Sequence, residues 1–153
     1  MSSMLLEQTA SIGRVVATLD LTDPVAAREA LRHLVPVSDV EALNAAVREA
    51  HAQGTLTPRE ANPSVRFGRI AKPSADTGGC SIDAVDIAGA GAGHTHPRGE
   101  VSWCVPLQGS PSFEGHGSGW VVLGAGSHHV PTVTGGRMAI VYWIPGGEVD
   151  WDG

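Results

Sequence analysis

Lysine, cysteine and long apolar runs are all scarce in this 153-residue sequence. Its single lysine is Lys72, and 10 Lys and Arg residues stand against 16 Asp and Glu residues, for a net charge of −6. Nucleic-acid binding depends on clustered cations, so a nucleic-acid partner is not expected. No apolar run approaches the ~20 residues of a membrane helix, and the first residues lack the basic start of a secretory signal. We therefore expect a cytoplasmic protein without a membrane partner.

The shortage of cysteine excludes a disulfide framework. Cys80 and Cys104 are too few for one and lack the Cys-x-x-Cys spacing of a metal site, so both are expected to be reduced and buried. Hydrophobic residues make up 42% of the chain and charged residues only 17%. That composition is typical of one compact globular domain and excludes long disorder.

The glycine distribution divides the chain into two parts. Eighteen of the 20 glycines lie after residue 60, which marks a change from helix to strand-and-turn chemistry. We predict two or three helices over residues 1–56, packed on or exchanged with a β-barrel over residues 57–153. Short runs rich in β-branched and aromatic residues predict strands near residues 65–71, 80–88, 99–107, 119–123, 129–134 and 137–144. Their spacing favours an antiparallel sandwich or barrel over βαβ units.

Capping signals and apolar spacing locate the helices. Asp23 followed by Pro24 predicts an N-cap and a first helical residue. Ser38 to Glu41 has the pattern of a capping box for a third helix, and Gly54 is its expected stop. The faces expected to be buried carry Leu5, Ile12, Val16 and Leu19, then Ala27, Leu31 and Leu34, then Val40, Leu43 and Val47.

Histidine is concentrated in the second part of the chain, where five of seven fall within 36 residues. His94 and His96 alternate, so their imidazoles share one face of an extended segment, and Glu100 follows four residues later. Imidazoles with one carboxylate suit a divalent transition metal such as Mn, Fe, Co, Ni or Zn. A third imidazole is expected from a later strand, where His128 and His129 face opposite ways and only one can reach the ion.

These residues resemble the cupin superfamily. Its first motif corresponds to the glycine-rich segment Gly89–Gly93, His94, His96, Glu100 and Gly109. Its second corresponds to Gly124, Gly126 and His129, with Gly124 where the superfamily usually has proline. The resemblance implies a mainly β, cupin-type jelly-roll β-barrel, here with an N-terminal extension of two or three α-helices. It also implies four metal ligands: His94, His96, Glu100 and His129.

Residues from Thr57 to about Pro145 more closely resemble the small cupins known as 4-hydroxylaminobenzoate lyases. The likeness lies in Val65–Arg69, Asp83–Asp86, Gly93–Pro97, Gly115–His116, Gly119–Val122, Val130–Val133 and Gly135–Arg137. That family is associated with nitroaromatic breakdown and converts 4-hydroxylaminobenzoate to protocatechuate with release of ammonia. The resemblance implies a carbon–nitrogen lyase that acts on a small aromatic substrate. Cupins of this size are often dimers, so a homodimer is expected.

The implied reaction is redox-neutral and requires no nicotinamide or flavin, and the sequence has no dinucleotide-binding Gly-x-Gly-x-x-Gly after a strand. Glu114 and His116, on the turn from Phe113 to His116, are the candidates for proton transfer. If Glu100 faces the barrel interior, alternation turns Ser102 and Cys104 inward as well. The other residues of that strand then pack outward, against helices or a partner: Val101, Trp103 and Val105.

A benzoate substrate requires a cation for its carboxylate, and arginine offers a bidentate fork for that planar group. Arg66 and Arg69 lie on the first predicted barrel strand, on opposite faces, and we favour Arg69 as the inward one. Trp120 and Tyr142 are candidates to sandwich the aromatic ring, although aromatic residues on barrel strands more often fill a core.

Two other kinds of function fit the same ligand set. One is a different metal-cupin enzyme, either an Fe(II) dioxygenase or an isomerase of a small carbonyl compound. The other is a non-catalytic cupin that binds a ligand without turnover. Oxygen uptake or ammonia release would separate these from a lyase.

Overall fold

Three helices precede nine strands in the computed structural model, which describes residues 2–153. The helices are α1 (Ser3–Val16), α2 (Pro24–Leu34) and α3 (Val37–Ala52). The strands are β1 (Arg59–Asn62), β2 (Val65–Ala71), β3 (Cys80–Ile87), β4 (His94–His96), β5 (Glu100–Phe113), β6 (Gly119–Leu123), β7 (Ser127–His129), β8 (Val133–Pro145) and β9 (Asp150–Trp151).

The strands form two antiparallel sheets. Six strands lie in the order β1-β2-β3-β8-β5-β6, and three lie in the order β7-β4-β9. In the large sheet β8 lies between β3 and β5, so the chain leaves that sheet and returns to it as jelly-roll connections require. The predicted mainly β, cupin-type jelly roll with N-terminal helices is confirmed.

Strand lengths explain which strands the sequence pattern finds. β2 and β6 coincide with the predicted ranges 65–71 and 119–123. The predicted strand over 129–134 is wrong as a unit, because β7 ends at His129, β8 begins at Val133, and Pro131 lies between them. β1, β4 and β9 were not predicted as strands, since two to four residues are too few to establish an alternating pattern.

The helix signals are confirmed in part. The Asp23 side chain accepts a hydrogen bond of 3.1 Å from the amide of Ala26, and Pro24 is the first residue of α2. The predicted capping box at Ser38–Glu41 is wrong. Extended Pro36 is the N-cap, α3 begins one residue later, and no side chain caps it.

The ends of α2 and α3 also differ in how well they were predicted. Gly54 follows α3 with a φ of 73°, the left-handed conformation that suits a glycine stop. Leu34 was predicted to be buried but is 52% exposed, because it is the last residue of α2 and lies beyond the part of that helix held against the sheet.

The helices cover one face of the large sheet. The indole N–H of Trp143 on β8 donates to the carbonyl of Thr9 on α1 at 2.9 Å, and that of Trp103 on β5 donates to Asn44 on α3 at 2.7 Å. Burying a large apolar side chain contributes roughly 1.5–3 kcal/mol, so this layer supplies much of the stability. Its core includes Leu5, Ile12, Val16, Leu31, Leu43, Val47, Ile82, Val101 and Val141.

A second apolar cluster lies on the other face of the sheet. It is made by Val65, Ile87, Cys104, Phe113, Val121, Val133, Met138 and Ile140. Both cysteines are buried and unpaired, as expected, and burial raises the pKa of Cys80 to about 11 and that of Cys104 to about 12. Within residues 2–153, no helix has both the length and the apolar character needed to cross a membrane.

We predict that Gly13→Ala destabilises the fold by about 1–3 kcal/mol, the usual cost of overpacking. A β-carbon on Gly13 would overlap the carbonyl oxygen of Thr77, where α1 meets the turn before β3. Urea unfolding measures the change. Helix propensity alone predicts the opposite sign, since alanine is favoured over glycine by roughly 1 kcal/mol. Ser11→Ala, at an exposed position of the same helix, is the control, and equal stabilisation of both variants would contradict the close-contact argument.

Candidate functional site

Strand register brings three histidines together. β4 and β7 pair antiparallel with His94 directly opposite His129, and alternation places His96 on the same face as His94. The Nε2 atom of His129 lies 3.0 Å from Nε2 of His96 and 3.2 Å from Nε2 of His94. All three ring nitrogens lie within 4.8 Å of one another. His128, the neighbour of His129, points the other way and contacts Asp152 at 2.9 Å.

The Nδ1 atoms of His94 and His129, which face away from the cluster, have hydrogen-bond partners that determine the tautomer of each ring. Nδ1 of His94 lies 2.8 Å from the carbonyl oxygen of Ala92, and Nδ1 of His129 lies 3.1 Å from a carboxylate oxygen of Glu114. A carbonyl and an ionised carboxylate only accept hydrogen bonds, so each of these Nδ1 atoms is the donor, and in a neutral ring this leaves the lone pair on Nε2. Partners of this kind on the outer nitrogen are characteristic of metal-ligating histidines.

The electrostatics of the cluster favour a cation. Burial lowers the pKa of His94 and lowers that of His96 to about 3, so both imidazoles are neutral at pH 7. The Nε2 atoms of His94 and His129 are 3.2 Å apart, and the ring nitrogens of the three residues are gathered closely enough for one cation to contact them all. Neutral, converging imidazoles are the donor set of divalent transition metals. The three-histidine cluster therefore indicates a divalent metal ion.

Glu100 lies beside this cluster, on the first residue of β5. Its Oε2 atom is 3.8 Å from Nε2 of His96 and accepts a hydrogen bond of 3.2 Å from the Ser102 hydroxyl. Burial raises the pKa of Glu100 to about 8, against the opposing effect of the Ser102 hydrogen bond. A cation among the histidines would favour the ionised form of this carboxylate.

The cluster opens into a cavity of about 490 Å³ on the face of the large sheet away from the helices. This volume falls in the range of small-molecule sites. His94, His129 and Glu100 line it, whereas His96 is fully buried behind them. Most of the wall is apolar and includes Val65, Phe67, Val85, Ile87, Phe113, Ile140 and Trp151.

One row of polar side chains crosses the cavity wall. Arg69 on β2 pairs with Asp83 on β3, Asp83 pairs with Tyr142 on β8, and Tyr142 pairs with Ser102 on β5. Residues directly opposite in a sheet share a face, so register alone aligns these four side chains. Arg69 Nε donates to Asp83 at 2.9 Å, and burial together with Asp83 and Glu100 raises the pKa of Tyr142. Tyr142 thus keeps its proton at neutral pH.

Two of the predicted substrate residues lie elsewhere. Arg66 faces away from the cavity, as alternation requires, and its guanidinium donates to the carbonyls of Thr57 and Pro58. Trp120 is on the helix-facing side of β6, with its ring centroid 4.7 Å from that of Trp103. Trp120 therefore fills the core and does not contact the cavity. Arg69 and Tyr142 do line the cavity.

The two predicted proton-transfer residues are separated by the turn that carries them. Glu114 and Gly115 form a two-residue hairpin turn closed by hydrogen bonds between Phe113 and His116, and Glu114 has a φ of 51°. Glu114 thereby reaches the outer nitrogen of His129. His116 faces α2, where its Nδ1 lies 3.3 Å from the guanidinium of Arg28. The structure does not bring His116 to the cavity.

Sequence reasoning missed Asp83 and Trp151 as cavity residues. Alternation could have identified Asp83, because it lies on the same face of β3 as Ser81 and Val85, which also line the cavity. Trp151 carried no such signal. β9 is two residues long, and its position next to β4 depends on a pairing that the sequence alone does not reveal.

A jelly roll with three converging histidines above an apolar cavity defines a metal-binding cupin. The profile described as "PnbB: 4-hydroxylaminobenzoate lyase" matches residues 16–151. The chain therefore belongs to the 4-hydroxylaminobenzoate lyase family, and the predicted resemblance is confirmed.

Two curated relatives carry the same description. One, from Nocardioides sp. (strain LMS-CY), is 33% identical over 98 residues, covering 59% of this chain and 58% of its own length. The other, from Pseudomonas putida, is 31% identical over 106 residues, covering 59% and 60%. The match thus spans about three fifths of the length of these relatives. A solved RmlC-like cupin from Ralstonia eutropha JMP134 is 19% identical, with a TM-score of 0.46 over 63% of this chain and 64% of that one.

We predict that Glu114→Ala weakens Zn²⁺ binding by about 10- to 100-fold, the usual effect of removing a partner of a ligating histidine. The reason is that His129 loses the group that fixes its tautomer and ring orientation. Competition with a chromophoric chelator measures the affinity. Glu114→Gln keeps an oxygen acceptor and should lose less. Zn²⁺ affinity equal to that of the unmodified protein in both variants would rule out this role for Glu114.

Proposed function

We propose that this protein converts 4-hydroxylaminobenzoate, or a close analogue, to protocatechuate with release of ammonia, as a step in nitroaromatic breakdown. The observation that carries the proposal is one cavity holding both the three-histidine cluster and Arg69. A benzoate bearing a hydroxylamino group needs a cation at one end and a polar reactive centre at the other. Membership in the lyase family supports the same reaction.

The reaction balances without an oxidant or reductant. The N–O bond breaks and the hydroxyl group leaves as water, which makes the ring electron-poor and imine-like. One water then adds to the ring carbon next to the one that bears nitrogen. A second water hydrolyses the imine to a carbonyl and ammonia leaves. The proton on the hydroxylated ring carbon then moves to the carbonyl oxygen, which gives the second hydroxyl and restores the aromatic ring of the catechol. Overall, one hydroxylamine and one water give one catechol and one ammonia.

In the proposed site His94, His96, His129 and Glu100 hold one divalent transition metal. Such an ion would act as a Lewis acid that polarises the N–O oxygen, and it would lower the pKa of a bound water toward ~7. Nitrogen and oxygen donors of this kind accept Mn, Fe, Co, Ni or Zn. The protein contributes the fixed orientation of the ligands, through Ala92 behind His94 and Glu114 behind His129.

Arg69 is the proposed carboxylate-binding residue. Its Nε–H is taken by Asp83, and within residues 2–153 its two terminal amino groups make no hydrogen bond. Those two groups can therefore bind the substrate carboxylate as a fork while Asp83 fixes the side chain. Asp83 and the Tyr142 hydroxyl also line the cavity, so they replace His116 as candidates to accept and donate protons.

The direct test is to incubate the metal-quantified protein with 4-hydroxylaminobenzoate and to measure ammonia, protocatechuate and oxygen uptake. We expect equal amounts of ammonia and protocatechuate with no oxygen consumed. His96→Ala should lose metal content and activity together, because its imidazole is one of three donors in the cluster. Oxygen consumption would indicate a dioxygenase instead, and full turnover by metal-free His96→Ala would refute a metal-dependent lyase.

Arg69→Ala is expected to raise KM for 4-hydroxylaminobenzoate by about 10- to 100-fold, since a hydrogen bond to a charged group contributes roughly 1.5–3 kcal/mol. Steady-state kinetics on this substrate and on uncharged phenylhydroxylamine measure the effect. Arg66→Ala removes the same charge three pairs along the strand and outside the cavity, so it is the matched control. An equal loss on both substrates would contradict a carboxylate-binding role.

A further inference from the structure

The indole of Trp151 lies at the cavity, and the proposed reaction assigns it no role. Its side chain lines the cavity, yet the residue is 62% exposed, the most exposed aromatic residue among 2–153. Single exposed apolar side chains are common on protein surfaces, so it is the position of this indole at the cavity, rather than its exposure, that suggests a binding role. The other three tryptophans, Trp103, Trp120 and Trp143, are buried on the helix-facing side of the large sheet.

Register places this indole in line with the metal-binding side chains. In the small sheet His94 on β4 lies opposite His129 on β7 and opposite Trp151 on β9. The three side chains therefore form one row on one face of the sheet. The centroid of the Trp151 ring lies 4.8 Å from that of His94, about one interstrand spacing.

The segment that carries Trp151 is held mainly by β4 and its flanking residues. The amide of Asp152 donates to the carbonyl of Gly93 at 3.1 Å, and the Asp152 carboxylate contacts His128 at 2.9 Å. The Asp152 carboxylate also packs directly against Gly93. Trp151 is thus fixed by its backbone, and the indole itself is left free to take a ligand.

We propose that Trp151 is a substrate-binding residue that stacks on the aromatic ring and so selects flat aromatic carboxylates over saturated ones. A ring seated on the indole lies one interstrand spacing from His94, which directs its substituent toward the histidine cluster. Stacking of this kind strengthens binding beyond the effect of the apolar area it buries. The proposal rests on the proposed function for the identity of the substrate, but binding can be measured without turnover.

The test compares benzoate with cyclohexanecarboxylate, which has the same carboxylate and ring size but no π-face. Calorimetry on the metal-loaded protein should show that Trp151→Leu raises the Kd of benzoate about tenfold and leaves that of cyclohexanecarboxylate nearly unchanged. Trp151→Phe, which keeps an aromatic face, should lose less. Benzoate should also quench tryptophan fluorescence in the unmodified protein and not in Trp151→Phe, because the remaining tryptophans lie outside the cavity.

Three outcomes would overturn the proposal. Benzoate affinity unchanged in Trp151→Leu would mean that the indole does not contact the ligand. An equal loss of affinity for benzoate and cyclohexanecarboxylate would mean that the indole provides apolar contact but no selection for an aromatic ring. Loss of metal from Trp151→Leu along with benzoate affinity would make the indole a support for His94. Failure of the lyase reaction is a separate result, since the unmodified protein would then still prefer benzoate through Trp151 but release no ammonia from 4-hydroxylaminobenzoate.

Discussion

The convergence of three imidazole nitrogens is the constraint on which the rest of the site depends. His94 and His129 meet because β4 and β7 are in a register that sets them directly opposite. A slip of one residue would turn either histidine to the other face, since side chains alternate along a strand. Because β4 has only three residues, few ladder hydrogen bonds fix its register with β7. The hydrogen bond from the Gly126 amide to the carbonyl of His96 helps to hold that register.

The large sheet divides stability and chemistry between its two faces. On β5 and β8, alternate residues point to the helices and to the cavity: Val101, Trp103 and Val141 on one side, Glu100, Ser102 and Tyr142 on the other. Buried polar groups around a cavity cost stability unless they are paired. The helical layer offsets that cost by burying apolar side chains against the opposite face, so the cavity wall is free to carry Asp83, Glu100 and Tyr142.

Local sequence patterns predict those features of the site that depend only on which face of a single strand a side chain occupies. Alternation alone gives the shared face of His94 and His96 and the opposite faces of Arg66 and Arg69. It also turns Ser102 inward once Glu100 is taken to face the cavity. The placement of Trp120 and His116 required knowledge of which sheet face meets the helices, and that is a long-range property. Trp151 depended on a pairing between β4 and a two-residue strand more than 50 positions later, for which no local signal exists.

The charged side chains of the cavity wall, together with a divalent cation in the three-histidine cluster, would favour an anionic ligand. Within residues 2–153, the charged side chains that line it are Arg69, Asp83 and Glu100. These three side chains carry a net charge of −1 if both carboxylates are ionised. Burial raises the pKa of Glu100 to about 8, which favours its protonated form in the absence of a cation. A divalent cation held by the three histidines would ionise Glu100 and leave the cavity with one positive charge in excess. A monoanion such as a benzoate would then restore neutrality in a largely apolar space, where an unbalanced charge is costly. Metal binding and carboxylate binding are therefore expected to favour each other.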